Sequence, residues 1–126
     1  MFFSLAHTPT VWIAASTFYF HECSYNKWLI FDRISSDPHE RIVVTHGTDT
    51  MDLTGRKLKG ITGKVIVLTG AMQPANFKYS DAEFNIGFAV AAVQTLPHGV
   101  YLAMNGRIFL PGKVKKNSEL NRFEQV

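Results

Sequence analysis

A short run of β-branched residues, Ile42-Val43-Val44, constrains the fold of this 126-residue chain more than any other feature. The run has too little polar alternation for a half-exposed strand, so it predicts a strand buried on both faces, as in a parallel sheet. Gly47 then interrupts the chain, and Thr48, Asp49 and Thr50 come next, which are residue types that begin helices. A strand, a turn and a helix N-terminus in this order place small polar side chains at the carboxyl edge of a sheet, where open α/β sheets bind ligands.

Two later segments repeat this arrangement. A second apolar run, residues 65–68, closes on Thr69-Gly70-Ala71, and a third, residues 100–104, ends at Asn105-Gly106. Asn-Gly is the turn signal of a two-residue hairpin, so residues 107–109 are predicted to return as a short strand. Taken alone, the first strand end would be explained by helix capping. Three strand ends of the same kind favour a ligand site at their shared edge.

Helices are predicted between these strands at residues 28–34, 48–58 and 81–95. The third begins with Ser80-Asp81-Ala82-Glu83, which has the form of a capping box. This helix is apolar on nearly every side, which predicts burial against the sheet and a contact between subunits of a homo-oligomer. The alternation of strands and helices predicts a doubly wound α/β fold, a mostly parallel sheet with flanking helices and right-handed crossovers.

Composition limits the classes of function. A hydrophobic fraction of 46% and a charged fraction of 18% describe one globular domain rather than a disordered chain. The net charge of +3 is mild, and no aromatic residues interleave the lysines near the C-terminus, so nucleic-acid binding is not expected. Cys23 is the only cysteine, which excludes an internal disulfide and a multi-cysteine zinc site and fits a cytoplasmic protein. After Pro111 the chain turns polar, with Leu120 and Phe123 as its only large apolar anchors.

Residues 1–27 do not match the pattern of the rest. They are apolar and aromatic without clean periodicity, and no Lys or Arg precedes Lys27, whereas a signal peptide has a positive N-terminal region. The stretch His7-Thr8-Pro9-Thr10 interrupts the long apolar run that a membrane span requires. His21-Glu22-Cys23 has no partner cluster, so no metal site is expected. We therefore expect an atypical segment over residues 1–27, such as an aberrant start would produce. Residues 28–126 would form the domain, with its first strand missing or replaced.

The shared strand edge carries groups suited to proton transfer. A hydroxyl beside a carboxylate, with a lysine in reach, can exchange protons because the lysine lowers the pKa of the carboxylate. His46 is a weaker candidate, since a single histidine at a strand end is more often packed and hydrogen-bonded than a base.

The stretch Thr45-His-Gly-Thr-Asp-Thr-Met51 resembles the second signature of bacterial-type L-asparaginases. Two further stretches, residues 68–74 and Ser80-Asp81…Phe84-Asn85, match the family sequence after that signature. The resemblance covers about residues 28–126 and is greatest to a short, single-domain branch whose chains end in a tail like residues 116–124. It implies an amidohydrolase that converts L-asparagine to L-aspartate and ammonia through an acyl-enzyme on a threonine, with no metal or organic cofactor. L-glutamine stays open as an alternative substrate.

The resemblance also implies roles for individual residues. Thr48 matches the second family threonine, which activates the attacking group together with a lysine and the adjacent aspartate. Asp49 matches that aspartate, which also holds the α-amino group of the substrate. Ala71 matches a position whose backbone carbonyl faces the substrate amide. The lysine falls in residues 113–117, where Lys116 is our assignment and Lys115 stays open.

Parts of the family pattern have no match in this sequence. The first signature, Thr-Gly-Gly-Thr-Ile, carries the primary nucleophile, and nothing in residues 1–27 resembles it. The Asp-Ser-x-Asp-Met stretch that binds the substrate carboxylate and the second domain of the larger family are also expected to be missing. This leaves two hypotheses. The chain is an incomplete asparaginase-like amidohydrolase, weakly active or inactive, or a non-catalytic domain that retains ligand binding or an assembly surface.

Overall fold

The computed structural model describes residues 2–4, 12–15, 23–73 and 78–126, with side chains from residue 30 onward. In these ranges the chain forms eight strands and three helices: β1 Phe2–Ser4, β2 Trp12–Ala15, α1 Cys23–Ser36, β3 Arg41–Thr45, α2 Met51–Leu58, β4 Val65–Thr69, α3 Ala82–Thr95, β5 Gly99–Met104, β6 Arg107–Phe109, β7 Val114–Asn117 and β8 Arg122–Gln125.

One six-stranded sheet, ordered β1-β2-β3-β4-β5-β6, organises the chain. Strands β2 to β5 run parallel, and β1 and β6 pair antiparallel at the two edges. Thr45 lies opposite Thr69, and Leu68 lies opposite Leu102, so the carboxyl ends of β3, β4 and β5 lie along one edge. The α/β fold with a mostly parallel sheet is therefore confirmed. The predicted Asn-Gly hairpin turn is also present, with φ of 50° at Asn105 and 77° at Gly106.

The two central strands are buried on both faces, as their β-branched runs predict. Residues 42–44 of β3 and 65–68 of β4 are at most 2% exposed. Successive side chains of a strand point to opposite faces. Ile42 and Val44 accordingly pack with α1 and α2 in one apolar cluster, whereas Val43 packs with α3 in another. The sheet is the middle of three layers.

The crossover connections differ from the prediction in their hand. The strands advance in the same direction across the sheet from β3 to β4 and from β4 to β5. Their connecting helices, α2 and α3, lie on opposite faces, so the two connections have opposite hands, and the expectation of right-handed crossovers throughout is wrong. The physical reason is coverage: a parallel sheet buries both faces, and with α1 and α2 on one face, α3 is the one described helix left to cover the other.

Part of the N-terminal segment joins the sheet. Strand β2, residues 12–15, pairs in parallel with β3, so a strand fills the position that was expected to hold a missing or replaced strand. Helix α1 begins at Cys23, five residues before the predicted helix. The stretch His7–Thr10, together with His21 and Glu22, lies outside the described residues. The domain boundary at residues 27 and 28 stays a prediction.

The polar C-terminal tail forms a second, two-stranded sheet of β7 and β8. Val114 and Phe123 anchor it in the core, and the Phe123 ring lies 6.4 Å from that of Phe109 between centroids. Phe123 is therefore an anchor as predicted. Leu120 is not, because it lies in the hairpin loop with 56% of its surface exposed.

Helix α2 holds the beginning of this hairpin. The carboxylate of Asp52 accepts a hydrogen bond from the Gly112 N–H at 2.7 Å, and Lys59 donates to the Pro111 carbonyl at 2.6 Å. Gly55, which would weaken an isolated helix, lets Pro111 approach, since a Cβ at position 55 would lie 2.9 Å from Pro111 Cγ. Among the helices described, none combines the length and apolar character that crossing a membrane demands.

The two helical glycines of the described chain predict opposite responses to alanine. At Gly87 of α3 a Cβ would meet nothing within 4 Å, so Gly87→Ala should raise the free energy of unfolding by up to about 1 kcal/mol. At Gly55 the same change forces a methyl group against a rigid proline ring, so Gly55→Ala should lower the free energy of unfolding by about 1–3 kcal/mol. Urea unfolding of both variants measures the difference. An equal gain in both would contradict the packing of Pro111 on α2.

Candidate active site

A crevice at the carboxyl edge of the sheet follows from the topology. The chain leaves β3 toward one face of the sheet and leaves β4 toward the other, so the loops after these neighbouring strands diverge. Open α/β sheets bind ligands where adjacent connections separate in this way. The loop after β3 contains Thr48 and Asp49, and the loop after β4 contains Ala71.

The two loops touch at their bases before they separate. The N–H of His46 donates to the Thr69 carbonyl at 2.8 Å. A Cβ at Gly70 would lie 2.3 Å from the His46 carbonyl oxygen and 2.9 Å from Met51 Cε. Only glycine permits this approach of two backbones, which fixes the floor of the crevice.

His46 is a packed, hydrogen-bonded residue, as the sequence favoured. It is 5% exposed, its Nδ1 lies 2.7 Å from the Gly47 carbonyl oxygen, and its Nε2 lies 2.9 Å from Thr54 Oγ1. A carbonyl can only accept, so we assign the proton to Nδ1, and Nε2 then accepts from the Thr54 hydroxyl. The hydroxyl that Nε2 contacts belongs to Thr54, which is fully buried, so the ring is directed into the interior, and this argues against His46 as the base of the site.

The structure brings Thr48, Asp49 and Lys116 together. The Lys116 ammonium donates to Thr48 Oγ1 at 2.9 Å and to Asp49 Oδ1 at 2.5 Å. Helix capping does not explain the presence of Thr48 and Asp49, because α2 begins at Met51 and its N-cap, Thr50, makes no side-chain cap bond. The Asp49 side chain is 61% exposed, which leaves carboxylate lone pairs open to a ligand. The Thr48 oxygen accepts from Lys116, so its own proton is directed elsewhere.

Strand register decides which lysine reaches the loop. Lys116 lies opposite Phe123 in the hairpin, and cross-strand partners share a face, so Lys116 is on the same face as buried Val114 and Phe123. Lys115 lies on the other face, opposite Glu124. The geometry therefore favours Lys116 over Lys115 as the lysine of the site. Glu124, the cross-strand partner of Lys115, is held by Arg122 and then Asn117, whose hydrogen bonds keep the pKa of its carboxyl below the usual value.

Asp81 holds the loop after β4. Its carboxylate accepts the N–H of Met72 and the N–H of Gln73, each at 3.1 Å, and the side-chain amide of Asn105 at 3.1 Å. Partial burial opposes ionisation of the carboxyl, but the hydrogen bonds from Gln73, Met72 and Asn105 outweigh it, so the pKa of Asp81 lies below its usual value.

Asn85 completes this network; the sequence analysis placed it in a stretch that matches the family but assigned it no role. It is fully buried, its Nδ2 donates to the Gly70 carbonyl at 2.8 Å and to Asp81 at 2.9 Å, and its Oδ1 accepts the Asn105 N–H at 2.9 Å. One amide thus ties together the β4 end, the α3 start and the β5–β6 turn. An asparagine directly before the long apolar run of this helix was the available signal.

The predicted capping box at the start of α3 is wrong. Asp81, not Ser80, is the N-cap, and it makes no side-chain cap bond because its carboxylate serves the preceding loop. Ser80 accepts the Ala82 N–H at 3.1 Å and donates to the Gln73 carbonyl at 2.8 Å. Within the described residues, no group of three or more His, Cys, Asp or Glu side chains could hold a metal.

Comparison with known proteins relates this geometry to a family. The model of the family described as "Asparaginase, N-terminal" matches residues 27–125. An L-asparaginase of Thermococcus kodakarensis is 34% identical over 95 residues, which cover 71% of this chain and 29% of that protein. A glutaminase-asparaginase of Acinetobacter glutaminasificans is 36% identical over 85 residues, 64% of this chain and 26% of that protein.

Solved structures show the same relation. The crystal structure of the probable cytoplasmic L-asparaginase from Campylobacter jejuni aligns with a TM-score of 0.74 and 29% identity, over 83% of this chain and 36% of that one. The chain therefore spans about a third or less of the length of these relatives.

The Asp81 network predicts a pH-dependent loss of stability on the acid side. Asp81→Asn replaces an acceptor oxygen with an amide, so it should lower the free energy of unfolding by about 1–3 kcal/mol at pH 7. A carboxyl whose folded pKa is depressed stabilises above its unfolded pKa, about 3.9 for Asp, and loses that contribution as pH falls through the folded pKa. The difference in the free energy of unfolding between wild type and variant should therefore have its full value at pH 5–7 and should become smaller below the unfolded pKa.

Urea unfolding at several pH values measures this gap. Glu83→Gln removes an exposed carboxylate two residues away and is the matched control, expected to stay within about 0.5 kcal/mol of wild type. A gap for Asp81→Asn that is absent at pH 7, or that widens in acid, would contradict the network.

Proposed function

Because this chain belongs to the asparaginase family, we propose that it is an asparaginase-like amidohydrolase domain acting on L-asparagine, with release of L-aspartate and ammonia. L-glutamine, one methylene longer, is the second substrate we propose to test. The observation that carries the proposal is the contact of Lys116 with both Thr48 and Asp49 at the carboxyl edge of the sheet. An ammonium, a hydroxyl and a carboxylate in direct contact form a proton-transfer group.

The proposed roles follow from the chemistry of each group. Asp49 is more than half exposed and has a free carboxylate oxygen, which suits it to bind the α-ammonium of an amino acid. Lys116 and Thr48 activate the group that attacks the amide carbon. The Ala71 carbonyl accepts a hydrogen bond from the amide of the substrate. These roles need no metal and no organic cofactor.

We also propose that residues 1–126 hydrolyse L-asparagine slowly or not at all. An acyl-enzyme requires a positioned nucleophile, and no Thr-Gly-Gly-Thr-Ile stretch occurs in this sequence. The Thr48 oxygen is held by the ammonium of Lys116 as a partner in activation. The loss of one member from a catalytic group that acts as a unit costs orders of magnitude in rate.

A non-catalytic role is the second candidate, and the outer face of α3 favours it. Phe84 is 62% exposed and stacks on Phe88, with ring centroids 6.4 Å apart and planes inclined by 11°. Phe84 is thus an exposed aromatic ring supported by a partly buried one, which suits an assembly surface, so we propose a homo-oligomer formed through α3. We further propose residues 28–126 as the domain, and the cytoplasm as its location, since a lone cysteine fits a reducing compartment.

Ammonia release from L-asparagine by the purified chain tests the activity. We expect a rate near the background, unchanged by Thr48→Ala, because activating groups without a nucleophile leave only direct attack by water. Robust turnover abolished by Thr48→Ala would show that Thr48 is the nucleophile and that the site is complete.

Calorimetric titration with L-asparagine tests the binding site. Asp49→Asn removes the charge proposed to hold the α-ammonium and should weaken binding about 10- to 100-fold, as expected for a charged hydrogen bond. Lys116→Met should also weaken binding, since it releases Asp49 from its position. Lys115→Met is the matched control on the opposite face of β7 and should leave affinity unchanged. An effect of Lys115→Met equal to that of Lys116→Met would contradict the site.

A further inference from the structure

The peptide unit between Ala71 and Met72 has its orientation fixed by Asp81. The N–H of Met72 donates to Asp81 Oδ2 at 3.1 Å. The described chain contains no cis peptide bond, and in a trans peptide the carbonyl and the N–H point in opposite directions. The carbonyl of Ala71 therefore points away from Asp81.

The position of Asp81 relative to the strands shows where the Ala71 carbonyl points. Its carboxylate also accepts from the side chain of Asn105, in the turn after β5, so Asp81 lies on the β5 side of the loop after β4. The sheet order places β3 on the other side of β4. The Ala71 carbonyl is thus directed toward the β3 side, where Thr48 and Asp49 lie.

Neighbouring bonds fix the peptide units on either side of this one. The Gly70 carbonyl on one side accepts from the buried amide of Asn85 at 2.8 Å, and the Gln73 N–H on the other donates to Asp81 Oδ1 at 3.1 Å. A flip between these fixed neighbours would break the bond from the Met72 N–H to Asp81 within a partly buried network. The hydrogen bond to a carboxylate also polarises the peptide, which makes the Ala71 oxygen a stronger acceptor.

We propose that Asp81 is a positioning residue that sets ligand selectivity: by orienting the Ala71 carbonyl into the crevice, it makes the site take a carboxamide in preference to a carboxylate of the same shape. A carboxamide NH₂ donates to the carbonyl oxygen, whereas a carboxylate has no proton to donate and meets the oxygen with its own lone pairs. This inference rests on the proposed function for the identity of the ligand. It adds a residue outside the Thr48–Asp49–Lys116 group and a selectivity that this group does not supply.

Paired titrations of the full chain with L-asparagine and L-aspartate at pH 7, monitored by NMR, test the inference. Wild type should bind L-asparagine about tenfold more tightly than L-aspartate, the worth of one good hydrogen bond. Asp81→Asn should reduce that ratio to about twofold or less, since the Met72 N–H loses its charged acceptor. Glu83→Gln, two residues along the chain, should leave the ratio unchanged. A merely structural role for Asp81 would weaken both ligands equally.

A second measurement needs no variant. In the unaltered chain, the ¹³C resonance of the Ala71 carbonyl should shift on binding of L-asparagine and not on binding of L-aspartate. Equal shifts with both ligands, or an unchanged affinity ratio in folded Asp81→Asn, would overturn the inference and leave the proposed function standing. Binding of neither ligand to wild type would overturn the proposed function and the selectivity with it. In that case the hydrogen bond can be tested in the ligand-free chain, by a scalar coupling between the Met72 nitrogen and the Asp81 carboxyl carbon. A measurable coupling would support the positioning of the peptide by Asp81, and the absence of the coupling would overturn that positioning.

Discussion

The burial of β3 and β4 on both faces is the constraint on which the rest of this structure depends. Strands with no exposed face carry no polar side chains along their length, so polar chemistry is confined to the ends of the strands. Parallel pairing brings the carboxyl ends to one edge, and the opposite placement of α2 and α3 opens a crevice there. The position of Thr48, Asp49 and Ala71 beside this crevice results from hydrophobic burial rather than from any attraction among them.

The lysine of the site depends on a separate element with its own anchors. The β7–β8 hairpin contributes Val114 and Phe123 to the core, and α2 holds the start of the hairpin through Asp52 and Lys59. Because side chains alternate along a strand, a one-residue shift in register would turn Lys116 away from Asp49. Packing far from the crevice therefore decides whether the ammonium reaches it.

The sequence predicted those parts of the structure that local patterns encode. Apolar runs identified the buried strands, Asn105-Gly106 identified the hairpin turn, and a recognisable signature identified the loop at Thr48. The Asp81 network could not be predicted, because Ser80-Asp81 has the same local pattern whether its carboxylate caps a helix or holds a neighbouring loop. The hand of the crossovers also escaped prediction, since it is set by which sheet face remains uncovered, a property of the whole fold.

The central claim is that hairpin register delivers Lys116, and not Lys115, to Asp49. The most direct test is an NMR measurement of scalar coupling across hydrogen bonds between lysine side-chain nitrogens and carboxylate carbons in the ¹⁵N,¹³C-labelled chain. The structure predicts a coupling from Lys116 Nζ to the Asp49 carboxylate carbon, because Nζ lies 2.5 Å from Asp49 Oδ1. A coupling from Lys115 to Asp49, or none from either lysine, would contradict the account.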